Sequence, residues 1–245
     1  MPPVANVREL LALRGVCDRP NARRQMVNAL AARGLDRRVL SAMAVIPRHA
    51  FADASLATRA SVNCYLYTGD TVLTTPSVVA TMIQALDLDH QTKVLEVGTG
   101  TGYQTALLAL LSGCVFTIEC LPSLVRQSSE ALRALRLSNV KQRLGDGYQG
   151  WPEAAPFDAI LVAAAPPTIP PMLFQQLHPR HGRMVIPIGP QRDWQRLTLV
   201  RRQGQQMRTA DLGPTYFVPL TAGAGTPRPG DRFCRAAPTV CNGAC

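Results

Sequence analysis

The chain has 245 residues, 47% of them hydrophobic and 17% charged, a composition that can bury a full core and excludes a disordered polymer. No run reaches the roughly 18 unbroken apolar residues of a membrane span; the richest, Ala106–Ile118, is broken by Ser112 and Gly113. The formal charge is +10, and only Lys93 and Lys141 are lysines, the other basic residues being arginines. The excess sits at the ends, +6 over residues 1–60 and +5 over 191–245, with −1 between them, so we read most arginines as solvated positions and do not expect nucleic acid as a partner. Arg8, Glu9 and Arg14 precede any long apolar block, which argues against a secretory leader. A soluble, cytoplasmic monomer with no membrane contact is expected. Of the 7 cysteines, Cys17, Cys64, Cys114 and Cys120 are scattered, as free thiols would be. Cys234, Cys241 and Cys245 cluster in the tail without the spacing or histidines of a zinc site, and no metal is expected.

Residues 1–60 read as helical. Apolar residues recur at helical spacing over Arg24–Ala32 and Arg38–Met43, with Gly34 between them, and Phe51–Ala60 suits a further short helix. Residues 61–75 read as a loop with a turn at Gly69 and Asp70. Thr75 caps a helix opened by Pro76, whose apolar face is Val78, Val79, Met82, Ile83 and Leu86. Strands then alternate with helices: strand Lys93–Val97, helix Tyr103–Leu111, strand Val115–Ile118, helix Ser123–Leu135, strand Val140–Leu144, strand Phe157–Val162, helix Pro170–Gln176 and strand Arg183–Ile186. That alternation predicts an α/β fold with a parallel sheet covered on both faces. Gln195–Arg201 and Thr215–Val218 follow without long helices and are expected to pair antiparallel at one edge. The Gly-, Pro- and Ala-rich tail from Ala222 reads as disordered. The expected organisation is a helical cap with a substrate loop over 1–75, a cofactor-binding domain over 76–221 and a tail over 222–245.

The chemistry begins at Leu95–Tyr103, where a strand runs through Gly98, Gly100 and Gly102 into a helix. The spacing is G-x-G-x-G, not the G-x-G-x-x-G of dinucleotide sites, and Glu96 stands two residues before it. A pyrophosphate disfavours an acid beside the helix N-terminus, whereas a cationic sulfonium tolerates one. Glu119 closes the second strand and suits a grip on ribose hydroxyls. Asp146 and Gly147 follow the third strand, where an acid and flexible backbone can hold an adenine amino group. All three lie at the carboxyl ends of consecutive parallel strands, which points to S-adenosyl-L-methionine as the cofactor.

Beyond the loop, the chain resembles the protein-L-isoaspartate O-methyltransferases. Val45–Phe51 is similar to their V-P-R-x-x-F segment and Val94–Gln104 to their cofactor loop. Gly145–Pro152 and Pro156–Ile160 are similar to G-D-G-x-x-G and P-[YF]-D-A-I, and Ile186–Gly189 and Phe217–Thr221 to their late strands. The similarity runs in order from about residue 21 to 221. It implies a Rossmann-like methyltransferase sheet with an N-terminal helical cap and antiparallel edge strands. It implies a protein-repair enzyme of the EC 2.1.1.77 class that methylates the carboxylate of isoaspartyl residues in peptides or proteins, so that the ester collapses to a succinimide and can reopen as aspartate. It places Thr71, Val72, Leu73 and Thr221 against the cofactor.

The chain departs from the family before Pro76. The family reads G-x-T-[IL]-S-x-P, and here Asp70–Pro76 is D-T-V-L-T-T-P. Aligned to Pro76 without a gap, the family serine falls on Thr74 and its threonine on Val72; with a later gap, Leu73 takes the serine position. Asn63 stands where the family often has Asp. Thr74 carries a donor hydroxyl, as serine does, and is the expected catalytic residue. The departure leaves open a diverged carboxylate methyltransferase with a dedicated peptide or protein partner, and a non-catalytic adaptor that binds S-adenosylmethionine. The motif of amino-methylating nucleic-acid enzymes, Asn/Asp-Pro-Pro-aromatic, is not found.

Overall fold

The computed structural model describes residues 6–190 and 193–223. The tail from residue 224, with Cys234, Cys241 and Cys245, lies outside the described residues, and so does its expected disorder.

The cap is built from α1 (Val7–Arg14), α2 (Pro20–Ala31) and α3 (Arg37–Val45). Asn6 accepts the Glu9 N–H at the start of α1, and Asp36 accepts the N–H groups of Arg38 and Val39 at the start of α3, replacing bonds a first helical turn lacks. The helix expected over Phe51–Ala60 does not form. Two short 3-10 turns, Arg48–Phe51 and Ala54–Leu56, take its place. The reason is tertiary: Arg48 is drawn inside to bond the Ala60 and Cys64 carbonyls, and Phe51 turns inward to meet Tyr103 edge-on at 5.5 Å.

The stretch expected as a loop holds a hairpin, β1 (Leu66–Thr68) and β2 (Thr71–Leu73), paired Leu66 with Leu73, Tyr67 with Val72 and Thr68 with Thr71. Gly69, at φ +56°, makes its two-residue turn. Then comes α4 (Pro76–Leu86), capped by Thr75 as expected, its side chain accepting the Val78 N–H.

The main sheet holds β3 (Lys93–Val97), β4 (Cys114–Glu119), β5 (Val140–Leu144), β6 (Ala159–Val162), β7 (Arg183–Ile188), β8 (Gln195–Gln203) and β9 (Gln206–Thr215), in the order β5-β4-β3-β6-β7-β8-β9. The first five are mutually parallel, and β8 and β9 run antiparallel, so the fold is the expected Rossmann-like one. The last edge strand is not Thr215–Val218 but β9. Its first six residues are exposed, so no apolar alternation marks it. The apolar stretch after it instead packs at the end of β6, where Pro219 bridges Ala165.

Alternation along the strands sorts the core. Val94, Val115, Leu161 and Val185 face a layer that includes α1 to α4, α5 (Tyr103–Leu111) and α6 (Pro122–Ala134). Leu95, Phe116, Ile160 and Met184 face the other side, covered by the short α7 (Pro171–Gln175) and by coil carrying Tyr148, Trp151 and Phe157. The cap and the sheet share one continuous core, from Leu10 to Phe217. Among the described residues no helix is long and apolar enough to cross a membrane.

Candidate functional site

From β3 the chain moves outward through β4 to β5, then returns to place β6 on the other side of β3. Such a switch point opens a crevice at the strands' carboxyl ends, and the glycine loop lies there. Gly98, Gly100 and Gly102 all have positive φ, +93°, +55° and +91°. The left-handed turn at Gly100 aims its N–H at the Glu119 Oε2, 2.8 Å away. A side chain at Gly100 would be strained and would come within 3.4 Å of the Thr71 hydroxyl. Thr71, Gly100 and Glu119 therefore meet, although the first and last are 48 positions apart in the chain.

Glu119 is buried, and its second oxygen, Oε1, accepts the N–H groups of Cys120 at 2.8 Å and Leu121 at 3.1 Å. A carboxylate offers about four lone-pair sites, so Oε2 retains capacity for a further donor while Oε1 is already occupied. A two-oxygen grip on a diol requires Oε1 to give up an N–H; a grip through Oε2 does not. Beside it the Cys120 thiol lies 3.8 Å from the Thr221 hydroxyl. Burial and the neighbouring Glu119 push that thiol up to about 11, so it is uncharged and a poor nucleophile at neutral pH.

Glu96 lies beneath the loop, fully buried. Its Oε2 accepts the hydroxyl protons of Thr105 at 2.5 Å and Thr117 at 2.7 Å, while Oε1 has no partner among the described residues. Thr117 also meets the Thr99 hydroxyl at 2.6 Å. One carboxyl thus ties β3, β4, α5 and the glycine loop. Burial drives its pKa up to about 7 against the two threonine bonds, and Glu119 adds to the rise. Asp146 accepts the Tyr148 N–H at 2.8 Å at the mouth of the loop after β5. Gly147 is a close approach: a Cβ there would stand 2.6 Å from Val97 Cγ1 and 2.9 Å from Leu220 Cδ1. The third strand end is thereby pressed against the first and against the segment that carries Thr221.

Strand alternation divides the β1–β2 hairpin. Thr71 and Leu73 share a face, on which Leu73 is buried in the core, and Val72 shares the other face with Tyr67. Thr74 is mostly buried, at 9% exposure, and its carbonyl accepts from the Arg48 guanidinium at 2.8 Å. Arg48, 2% exposed, also donates to the carbonyls of Leu73, Cys64 and Ala60. Loss of water pulls its pKa down to about 10, so it remains a cation at neutral pH. Asn63 accepts the Ser77 N–H at 2.9 Å in the first turn of α4. At the hairpin tip, Asp70 accepts the Ser123 hydroxyl at 3.4 Å.

Of the residues singled out in the sequence, Thr71, Gly100, Glu119 and Thr221 gather around one crevice, and Gly147 closes its side. Glu96 supports it from below. The sequence reading missed the roles of Arg48, Thr99, Thr105, Thr117 and Gln195. An arginine inside a P-R-x-x-F segment was the available signal for the first; the threonines carry none, because their contacts join separate elements.

The family model described as protein-L-isoaspartate(D-aspartate) O-methyltransferase matches residues 21–225. A protein-L-isoaspartate O-methyltransferase of Methylorubrum extorquens (strain PA1) is 48% identical over 217 residues, 87% of this chain and 94% of that one. One from Halorhodospira halophila (strain DSM 244 / SL1) is 46% identical over 204 residues, 82% of this chain and 92% of that one. Among solved structures, a protein-L-isoaspartate O-methyltransferase superposes with a TM-score of 0.75 at 25% identity, over 83% of this chain and 67% of that one. A Plasmodium falciparum structure, titled a protein-L-isoaspartate O-methyltransferase in complex with S-adenosyl-L-homocysteine, gives 0.69 at 22% identity, over 81% and 98%, and supports the fold.

Proposed function

This chain belongs to the protein-L-isoaspartate(D-aspartate) O-methyltransferase family, and we propose that it transfers the methyl group of S-adenosylmethionine to the side-branch carboxylate of L-isoaspartyl residues in damaged proteins. The observation that carries this reading is the convergence of Thr71, Gly100 and Glu119 at the carboxyl ends of β3 and β4. These residues fit the cofactor chemically. Glu119 is acceptor-only and asks for a hydroxyl donor, Gly100 leaves the backbone bare, and the acids of the site suit a cation better than a pyrophosphate.

When bound, S-adenosylmethionine supplies an electrophilic methyl on a cationic sulfur, which a carboxylate oxygen displaces as a neutral thioether. No proton has to move, because the acceptor carboxylate is already ionised near pH 7. The chain's task is alignment. Among the described residues the Thr74 hydroxyl has no hydrogen-bond partner, and it is free to donate to an acceptor oxygen. Its main chain is fixed from behind by Arg48, which holds the carbonyls of Leu73 and Thr74. A buried cation bonded to the Thr74 carbonyl and the N-terminus of α4 two residues on both favour a negatively charged acceptor at this end of the hairpin.

The purified chain, given S-adenosylmethionine labelled on the methyl group, is expected to esterify an isoaspartyl peptide and leave its aspartyl twin unlabelled. No labelled ester at high enzyme concentration refutes the assignment. Thr74 in place of the family serine favours one second reading, a carboxylate methyltransferase with a dedicated protein partner, and a single labelled band from total lysate would select it.

A further inference from the structure

The hairpin that leads into Thr74 and the late segment that ends in Thr221 both border the crevice, and each is held rigidly by different means. The hairpin base is fixed by Arg48, which bonds the carbonyls of Ala60, Cys64, Leu73 and Thr74. The late segment is fixed by the buried Gln195. Its Oε1 accepts the Phe217 N–H at 2.8 Å, and its Nε2 donates to the Phe217 carbonyl at 3.4 Å. Ala165 completes the hold, donating to the Val218 carbonyl at 2.7 Å and accepting the Leu220 N–H at 3.0 Å.

Tyr65 spans the gap between them. Its hydroxyl accepts the main-chain N–H of Tyr216 at 3.2 Å, and the two rings meet edge-on with centroids 6.3 Å apart. The hairpin ladder ends at the Leu66–Leu73 pair, and Tyr65 and Thr74 are the next residues beyond it on the two arms. A residue at the base of the hairpin that leads into Thr74 is thus bonded to the residue just before Phe217–Thr221. A phenol is neutral near pH 7 in any case, and burial moves this one further from ionising.

We propose that Tyr65 is a positioning residue for the acceptor peptide: its bond to Tyr216 sets the spacing between Thr74 and the Phe217–Thr221 segment. The inference rests on the isoaspartyl reading above. Gly100 and Glu119, at the ends of β3 and β4, lie outside this link, although Thr71 and Thr221 sit on the two elements it joins. Loosening it should therefore harm acceptor binding more than cofactor binding.

The test compares wild type with Tyr65→Phe, which keeps the ring contact and removes only the hydroxyl. Steady-state kinetics use a labelled isoaspartyl peptide, and calorimetry measures S-adenosylhomocysteine affinity. The KM for peptide is expected to rise roughly three- to ten-fold, the range of one neutral hydrogen bond. The expected change in kcat and in S-adenosylhomocysteine affinity is within about two-fold. Tyr65→Ala, which also removes the ring contact, should raise the peptide KM further. Equal peptide KM values for wild type and the phenylalanine variant overturn this inference alone. A parallel loss of S-adenosylhomocysteine affinity also overturns it, because Tyr65 would then act through the fold. No ester from wild type removes the isoaspartyl reading and this inference with it.

Discussion

Glu96→Gln isolates the cost of burying an acid beneath the glycine loop. In the folded chain the carboxyl is raised from an ordinary 4.5 to about 7, first by loss of water and then by Glu119. Between those two values the folded state holds a proton that the unfolded state has released. Stability contributed by this group is therefore fully present below about 4.5 and is lost as pH climbs through about 7. At 1.36 kcal/mol per pH unit, that interval amounts to a loss on the order of 3 kcal/mol, an upper figure for a site that can relax. Glutamine keeps the shape and one oxygen for the Thr105 and Thr117 hydroxyls, and it does not titrate. It places an N–H at the unpartnered oxygen, a penalty of about 1–3 kcal/mol that is independent of pH. Only the pH-dependent difference between the two proteins is therefore diagnostic. Urea unfolding at pH 5 and pH 8 should show the variant gaining on wild type by up to about 3 kcal/mol between the two. In thermal melts at about 2–4 °C per kcal/mol for a chain of this size, the gain is roughly 6–12 °C. Parallel stability curves across that range would refute a neutral buried acid at this position.

Glu119→Ala should weaken S-adenosylhomocysteine binding by about 1–3 kcal/mol, the value of bonds to a charged group, read by calorimetry; unchanged affinity would show that the strand-end acid does not touch the ligand. Gly147→Ala forces a methyl toward Val97 and Leu220, and overpacking of this kind costs about 1–3 kcal/mol; a melting temperature equal to wild type would mean that the two walls can part freely. Thr74→Ser should retain or raise methyl transfer, because the hydroxyl stays and a methyl leaves, while Thr74→Ala should abolish most of it without changing S-adenosylhomocysteine affinity. If alanine is as active as serine, the acceptor is held by something other than this hydroxyl.

The chain's local grammar marked out a large part of the molecule. The G-x-G-x-G loop after an apolar strand, the acid closing the next strand and the G-D-G after the third each follow from short-range rules: what a tight turn needs, where a helix N-terminus falls, how a parallel sheet alternates with helices. The Thr75 cap and Pro76 start of α4 were visible for the same reason, since a first helical turn is satisfied by its own neighbours. Elements that failed those rules were misread. β9 is polar because it is an edge, so no period-two signal marked it. The helix expected over Phe51–Ala60 gave way to the demands of a buried arginine whose carbonyl partners lie up to 26 residues away.

What the sequence determined alone is the parallel part of the sheet, its strand ends and the class of ligand they suit, because each depends on residues adjacent in the chain or one turn apart. What only the tertiary structure decided is how those pieces bear on one another. Thr71 stands over Gly100, Glu119 holds the Gly100 N–H through Oε2, Glu96 knots four elements from below, and Tyr65 ties the hairpin to Tyr216. These contacts join residues from 9 to 151 positions apart, and pairings at such distances are selected by packing of the whole chain, which no local pattern of polarity encodes.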